Sequence, residues 1–234
     1  IVDAGFKEII LTGVNICDFG KTTGESFFEL IQALSKVDGV ERYRVSSIEP
    51  ELLQDEIIDF MIDHHKFMHH FHIPLQSGSD DMLKMMNRKY DTALFRHKIN
   101  YIKQKDPNAF IGIDLIVGVP GETELLFQES YNFAKSLDVS FIHVFTYSER
   151  EGTRALKIEP KVCPEIKKQR SDLMHALSES KHLKFNKSQV GSTRPVLFEH
   201  TKKGRQMFGF TDNYVRVGIP FDENLINNIS SVLL

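Results

Sequence analysis

Four clusters of hydrogen-bonding and glycine residues stand directly after four apolar runs. They are Thr12-Gly13-Val14-Asn15, Ser46-Ser47-Ile48-Glu49-Pro50, Gln76-Ser77-Gly78-Ser79-Asp80 and Gly118-Val119-Pro120-Gly121-Glu122-Thr123. When several strands all end this way, a polar ligand sits above their carboxyl ends, held by side chains and close-approaching backbone. The run Phe71-His72-Ile73-Pro74-Leu75 leads into the third cluster. Pro74 cannot donate to a ladder, Gly78 admits a ligand, and Ser79 or Asp80 can cap the next helix. The glycine-rich turn at 118–123 has two readings: amides aimed at a ligand from a helix start, or a plain strand-to-helix loop capped by Thr123. Asp114 lies inside an apolar strand, where a carboxylate is costly unless it faces a polar cavity or a partner. His64, His65, His69, His70 and His72 crowd together, yet no cysteine or carboxylate joins them at ligand spacing. A solvated helix end is therefore expected, not a metal site. His72 and His143 are candidates to face inward, and either also fits as a hydrogen-bonded core residue.

The elements that must position these groups are legible in order. Strands are expected at Lys7 to Thr12, Arg42 to Ile48, 70–76, Ala109 to Val117 and Ser140 to Thr146. Helical spacing fills the gaps: Gly24 to Val37, Gln54 to Met61, a longer stretch through Tyr101, and Glu124 to Leu137. This alternation predicts an α/β domain with right-handed crossovers and a parallel sheet, open or curved into part of a barrel, with the regular spacing favouring the curve. A charged helix, Pro164 to Lys187, is expected to close it. After Gly191 come short β-type segments at Arg194 to Glu199, Arg205 to Phe210, Tyr214 to Val217 and Leu225 to Leu234, predicting a small antiparallel β domain, complete or short of a strand. The expected division is 1–188 and 189–234. On the second part Arg194, Lys202, Lys203, Arg205 and Arg216 interleave with Phe198, Phe208, Phe210 and Tyr214. That pattern suits phosphates and stacked bases, or equally a charged hairpin over an aromatic core.

Composition narrows the class. With 234 residues, 41% hydrophobic and 26% charged, the chain can bury a substantial core. A net charge of -3 gives no global sign of nucleic-acid binding, so basic patches matter more than totals. Two separated cysteines, Cys17 and Cys163, make no disulfide framework and cannot alone hold zinc or an iron–sulfur centre, which favours a reducing, cytoplasmic setting. No apolar run reaches membrane-span length. The start, Ile1-Val2-Asp3, is neither a signal peptide nor a usual initiator, so the chain is expected to be a piece of something longer.

These clusters also resemble a known family. Leu11-Thr12-Gly13-Val14-Asn15-Ile16, Arg44-Val45-Ser46-Ser47-Ile48-Glu49-Pro50, Phe71 to Ser79, Met86-Asn87-Arg88-Lys89-Tyr90, Asp114 to Thr123 and His143-Val144-Phe145-Thr146-Tyr147-Ser148 resemble, in order and spacing, the radical S-adenosylmethionine methylthiotransferases. The likeness covers nearly the whole chain. Gly13 to Ile16 and Ser46 to Pro50 look most like the branch acting on N6-threonylcarbamoyladenosine at position 37 of tRNA. The isopentenyladenosine and ribosomal-protein branches usually differ there. The tail around Gly209 to Val217 is similar to the RNA-binding TRAM module.

The resemblance implies a partial (βα)6 TIM-like radical SAM barrel, five of its βα units present, followed by a TRAM-like domain. It implies reductive cleavage of S-adenosylmethionine at a 4Fe–4S cluster, hydrogen abstraction at the adenine C2, and sulfur insertion from a second cluster. By the same resemblance Gly13 and Asn15 lie near the methionine amino group and Ser47 and Glu49 line the next strand end. Gln76, Ser77 and Arg88 approach the ribose and carboxylate, and Ile116, Gly118 and the Phe145 backbone bracket the adenine. Asp114 holds a place often given to glycine. Implied partners are the tRNA anticodon stem-loop and sulfur and electron donors, without a membrane. The family's Cys-x-x-x-Cys-x-x-Cys loop and amino-terminal domain are not in this sequence. The parent protein is expected to hold two clusters and this chain none, so no catalytic residue is identifiable in it and the chain as given is expected to be inactive. The alternatives are a non-catalytic RNA-binding scaffold, or a methylthiotransferase of the isopentenyladenosine-tRNA or ribosomal-protein branch.

Overall fold

The computed structural model describes residues 2–13 and 15–234, with the side chains of 201–203 outside the described set. Five short strands form its first half: β1 (Glu8–Leu11), β2 (Arg42–Val45), β3 (His70–Gln76), β4 (Phe110–Val117) and β5 (Phe141–Thr146). Parallel pairing joins β1 to β2 and runs through β3, β4 and β5, and parallel bridges Tyr43–Phe67 and Ser47–His72 carry β2 across to β3. The order never reverses, as it would in a doubly wound sheet, so the strands follow the singly wound course of a barrel wall.

The helices lie on one side. Ser26 starts α1 (Phe27–Ser35) with a capping box to Glu29, and α2 (Asp55–Asp63) follows β2. The stretch expected as one long helix is two, α3 (Asp80–Met85) and α4 (Thr92–Lys105). Asn87 at φ 57 breaks the first, and the Asp91 carboxylate accepts the Leu94 amide to start the second. Thr123 caps α5 (Glu124–Ser136). Outward-facing Ile73, Leu75, Ile111, Ile113, Leu115 and Ile142 pack with Phe95, Ile99, Phe127 and Ala134 of the helices in one buried core. The alternate residues of the same strands include the polar His70, His72, Asp114 and His143 beside Phe110, Ile116, Phe141 and Phe145. A sheet covered on both faces would carry apolar residues throughout, so this face turns to a polar cavity.

Helix α6 (Pro164–Gln189) guards the outer edge of β5. Its Ser178 hydroxyl donates to the Ile142 carbonyl at 2.8 Å and accepts the Ile142 amide at 3.0 Å, pairing both edge groups of that residue. Beyond it β6 (Thr193–Lys203), β7 (Gln206–Thr211), β8 (Arg216–Pro220) and β9 (Ile229–Leu233) form an antiparallel sheet ordered β8-β7-β6-β9. β6 runs past the expected end at Glu199, and the last segment starts only at Ile229, because Asp222 caps a short turn over Glu223–Leu225.

Among the described residues the small sheet's own buried core is Val196, Phe198 and Met207, and the sheet leans on the first half. Arg42, 2% exposed, donates to the Pro195 and Phe210 carbonyls at 2.8 and 3.2 Å. Arg44 reaches the Thr211 carbonyl at 3.3 Å, and Asn213 bonds the Asn108 carbonyl and the Gln189 side chain at 2.9 Å each. Burial pulls the Arg42 guanidinium down from its usual value, and Glu8 opposes that pull. Arg42 opens β2 and Asn108 precedes β4, so these contacts lie at the amino ends of those strands and leave the carboxyl ends open.

Candidate active site

The strand-end clusters converge. Register places Leu11 beside Val45, Ser47 beside His72, Gln76 beside Leu115 and Ile116 beside Phe145, so the loops after all five strands share one edge. Polar atoms with no protein partner gather there: Asn15 Oδ1, Ser46 Oγ, Glu51 Oε2 and Arg88 Nε are each buried and unbonded. Such atoms cost free energy unless a ligand meets them. Arg88 donates to Glu49 at 3.2 Å, and burial raises the Glu49 carboxyl although Arg88 works against it. Next to this polar side Ile116, Phe145 and Tyr147 line an apolar recess of about 360 Å³.

Below the rim, on the same face, His72 Nε2 lies 2.7 Å from Asp114 Oδ1 and the His72 and His143 rings stack at 4.9 Å with planes 7° apart. With the Asp114 oxygen accepting, His72 carries its hydrogen on Nε2 and leaves Nδ1 as a free acceptor. The nearest nitrogen and oxygen atoms of His72, Asp114 and His143 lie within 4.8 Å of one another. Nearly parallel rings hold their lone pairs side by side instead of converging, a poor geometry for sharing one metal ion. Burial and the neighbouring His72 push His143 down, towards the neutral ring.

The glycine-rich turn resolves to the second of its readings. Thr123 caps α5, while the Gly118 amide donates to Glu122 Oε2 at 2.7 Å and so is not offered to a ligand. Arg170 of α6 donates to the same carboxylate oxygen at 2.8 Å. Burial raises the Glu122 carboxyl, with the Gly118 amide and Arg170 opposing it.

Asn15, Ser47, Glu49, Gln76, Arg88, Ile116, Gly118 and Phe145 all belong to the rim, with Asp114 one step beneath it; Gly13 follows β1, and Val14 between it and Asn15 is outside the described residues. Ser77 stands apart. It is 1% exposed and its hydroxyl accepts the Ser79 amide, because the loop is pinned to α5 where Ser130 accepts the Gly78 amide. Gln76 takes φ 65 to make that turn. Of the basic residues, Arg194 is committed to Asp212 at 3.0 Å, Arg216 lies 4.1 Å over the Phe208 ring, and Arg205 is exposed. The Lys202 and Lys203 side chains lie outside the described set. Half-buried Cys17 has its thiol pushed up to about 12 by burial and Asp18, while Cys163 is exposed before α6. Two cysteines cannot supply the three or four thiolates of a cluster, so an iron–sulfur centre does not fit these residues, whereas a polar ligand with an apolar ring fits the rim. Sequence reasoning singled out His72, Asp114 and His143 separately but not their union across three strands.

A singly wound parallel wall with its ligand groups on the carboxyl edge is a TIM-like α/β barrel scaffold. Residues 1–134 match the family model described as the radical SAM superfamily, more than half the chain, and the chain belongs to that superfamily. Membership implies S-adenosylmethionine and iron–sulfur chemistry in the family. The chain is 37% identical over 238 residues to the threonylcarbamoyladenosine tRNA methylthiotransferase MtaB of Bacillus subtilis, covering 99% of this chain and 53% of that protein. It is 37% identical to the Thermotoga maritima protein of the same name over 92% of this chain and 50% of the relative. A tRNA-2-methylthio-N(6)-dimethylallyladenosine synthase of Syntrophus aciditrophicus is 35% identical over 100% of this chain and 52% of its own length. The chain thus spans about half the length of the curated relatives it matches. Coproporphyrinogen III oxidase (HemN) of Escherichia coli shares the fold, with a TM-score of 0.60 at 12% identity over 92% of this chain and 60% of that one. Among the described residues no helix is long and apolar enough to cross a membrane.

Proposed function

We propose that this chain is part of a tRNA methylthiotransferase that converts N6-threonylcarbamoyladenosine at position 37 of tRNA to its 2-methylthio derivative. One observation carries the reading: 37% identity across 99% of the chain to a relative named for that activity. When bound, S-adenosylmethionine supplies radical chemistry at the adenosine C2. The chain's own residues do the holding. Asn15, Glu49, Arg88 and Gln76 meet the polar end of the ligand, a guanidinium being a good match for its carboxylate. Ile116 and Phe145 take its ring and keep water out. His72, oriented by Asp114 through Nε2, keeps Nδ1 free to accept a proton during the reaction.

The cluster thiolates must come from outside these residues, so we expect neither cluster binding nor catalysis from the 234 residues alone. Residues 189–234 form a TRAM-like RNA-binding unit after a barrel unit of 1–188, with Arg205, Arg216, Lys202 and Lys203 on RNA phosphates. The setting is reducing and cytoplasmic, with an anticodon stem-loop and sulfur and electron donors as partners. A second reading, the dimethylallyladenosine reaction, is favoured by the relatives that are 33–35% identical.

The test is anaerobic reconstitution of the full-length protein, incubation with tRNA and mass spectrometry of the released nucleosides. A methylthio-threonylcarbamoyl product is expected. The methylthio-dimethylallyl nucleoside instead would select the second reading, and unmodified tRNA would overturn both.

A further inference from the structure

A second recess, about 220 Å³, lies where α6, the lower ends of β4 and β5, and the small sheet meet. It is smaller than the roughly 300–1,000 Å³ of a drug-sized site and suits one flat ring system. Its walls are aromatic. Phe141 meets the His182 ring edge to face at 5.3 Å, and Tyr214, held at φ 67, stacks on Phe210 at 4.9 Å. Asn186 lines the recess, and its Oδ1 is buried without a hydrogen-bond partner. Such an acceptor is satisfied by a ligand that brings its own N–H. Burial lowers both His182 and His143, so the walls are uncharged, while the Arg216 guanidinium stands at the boundary over Phe208. Neutral aromatic walls, one free acceptor and a single cation describe a nucleotide: a ring with an N–H edge and a phosphate.

The recess lies on the same face of β5 as the site above it, with His143 on its wall. Phe141, His143 and Phe145 alternate along β5 on the cavity side, so Phe141 lies about 13 Å below the rim at Phe145. That separation is within reach of a nucleotide adjoining the one being modified.

We propose that this recess takes an unpaired nucleobase of the RNA, adjacent to the modified residue, with Arg216 on its phosphate. The inference rests on the tRNA reading above, and the test separates the two. Full-length protein is titrated with an anticodon stem-loop RNA and with copies made abasic at one loop position each, for wild type, His182→Ala and Asn186→Ala. In wild type one abasic position is expected to weaken binding about tenfold. In the variants that position should cost little more, because the slot is already lost. Thermal melting identifies any variant that fails to fold, leaving the other to complete the cycle. Equal abasic profiles in wild type and the folded variants would overturn the slot. If wild type still yields the methylthio nucleoside, only the slot falls; if it neither binds nor modifies the RNA, the tRNA reading falls as well.

Discussion

The His72 imidazole and the Asp114 carboxylate stand 2.7 Å apart across the β3–β4 pair, on the face of the sheet turned from the helices. Both are half-buried, so neither is needed to fill the core. If the dyad serves proton transfer, His72→Asn and Asp114→Asn in the full-length protein should each lower the rate of methylthio product formation by about 100-fold or more. S-adenosylmethionine affinity, measured calorimetrically, should be unchanged. Lost stability with an unaltered rate would make the pair structural.

Arg88 and Glu49 define a different function of the rim. One Arg88 nitrogen is committed to Glu49 while Nε is buried with nothing to donate to, a donor held ready for a carboxylate. Arg88→Lys keeps the charge but cannot reproduce the planar fork. S-adenosylmethionine binding by the reconstituted full-length protein should weaken about tenfold, the worth of one charge-assisted bond. Unaltered affinity would remove Arg88 from the ligand's contacts.

Two glycines in the strand-end loops should respond differently to alanine. A Cβ at Gly78 would stand 2.7 Å from the Ser130 carbonyl oxygen and 2.9 Å from its Cα, backbone that cannot give way. Gly78→Ala should cost about 3 kcal/mol of stability by forcing the loop off α5. At Gly118 the obstruction is the Lys167 side chain near its root, at Cγ, which must change rotamer, and φ +74 adds backbone strain, about 2 kcal/mol in all. Denaturant melts rank the two, and the reverse order would show that the β3 loop is not pinned as described.

The strands were legible because their outward faces are apolar without interruption: Ile111, Ile113, Leu115 and Val117 announce β4 whatever lies on its other side. The rim was legible for a related reason, since polar residues at strand ends follow local chain order. The dyad was not, because His72 and Asp114 are 42 positions apart and only the register of β3 on β4 brings them together. The docking of the small sheet was hidden more deeply. Arg42 and Arg44 look like ordinary alternating strand residues, and their acceptors, the carbonyls of Pro195, Phe210 and Thr211, are backbone groups that carry no side-chain signal.

Adjacent histidines on β3 and its lead-in should give opposite pH dependences. The hydrogen bond to Asp106, 2.6 Å away, raises His69 against burial; Asp106 is lowered, burial opposing but the His69 bond and the Asn108 amide prevailing. A raised base stabilises fully below its unfolded value, about 6.5, and that share is lost as pH climbs through the folded value. A lowered acid stabilises above about 3.9 and loses its share as pH falls. The pair therefore contributes most between about 4 and 6.5. His70 is the reverse case: burial first, then Arg44, depress it well below the usual value between the Phe110 and Tyr214 rings. The unfolded chain then takes up a proton that the folded one refuses, so stability falls as pH drops below about 6.5. His69→Gln should accordingly trail wild type by about 1 kcal/mol at pH 5 and less at pH 8, a modest figure for a partly exposed pair. His70→Phe keeps the ring stack and removes the titration, so it should gain on wild type at pH 5 relative to pH 8. Thermal melts of the three proteins at both pH values decide it: parallel shifts at the two pH values would mean that neither ring is held as the docked sheet requires.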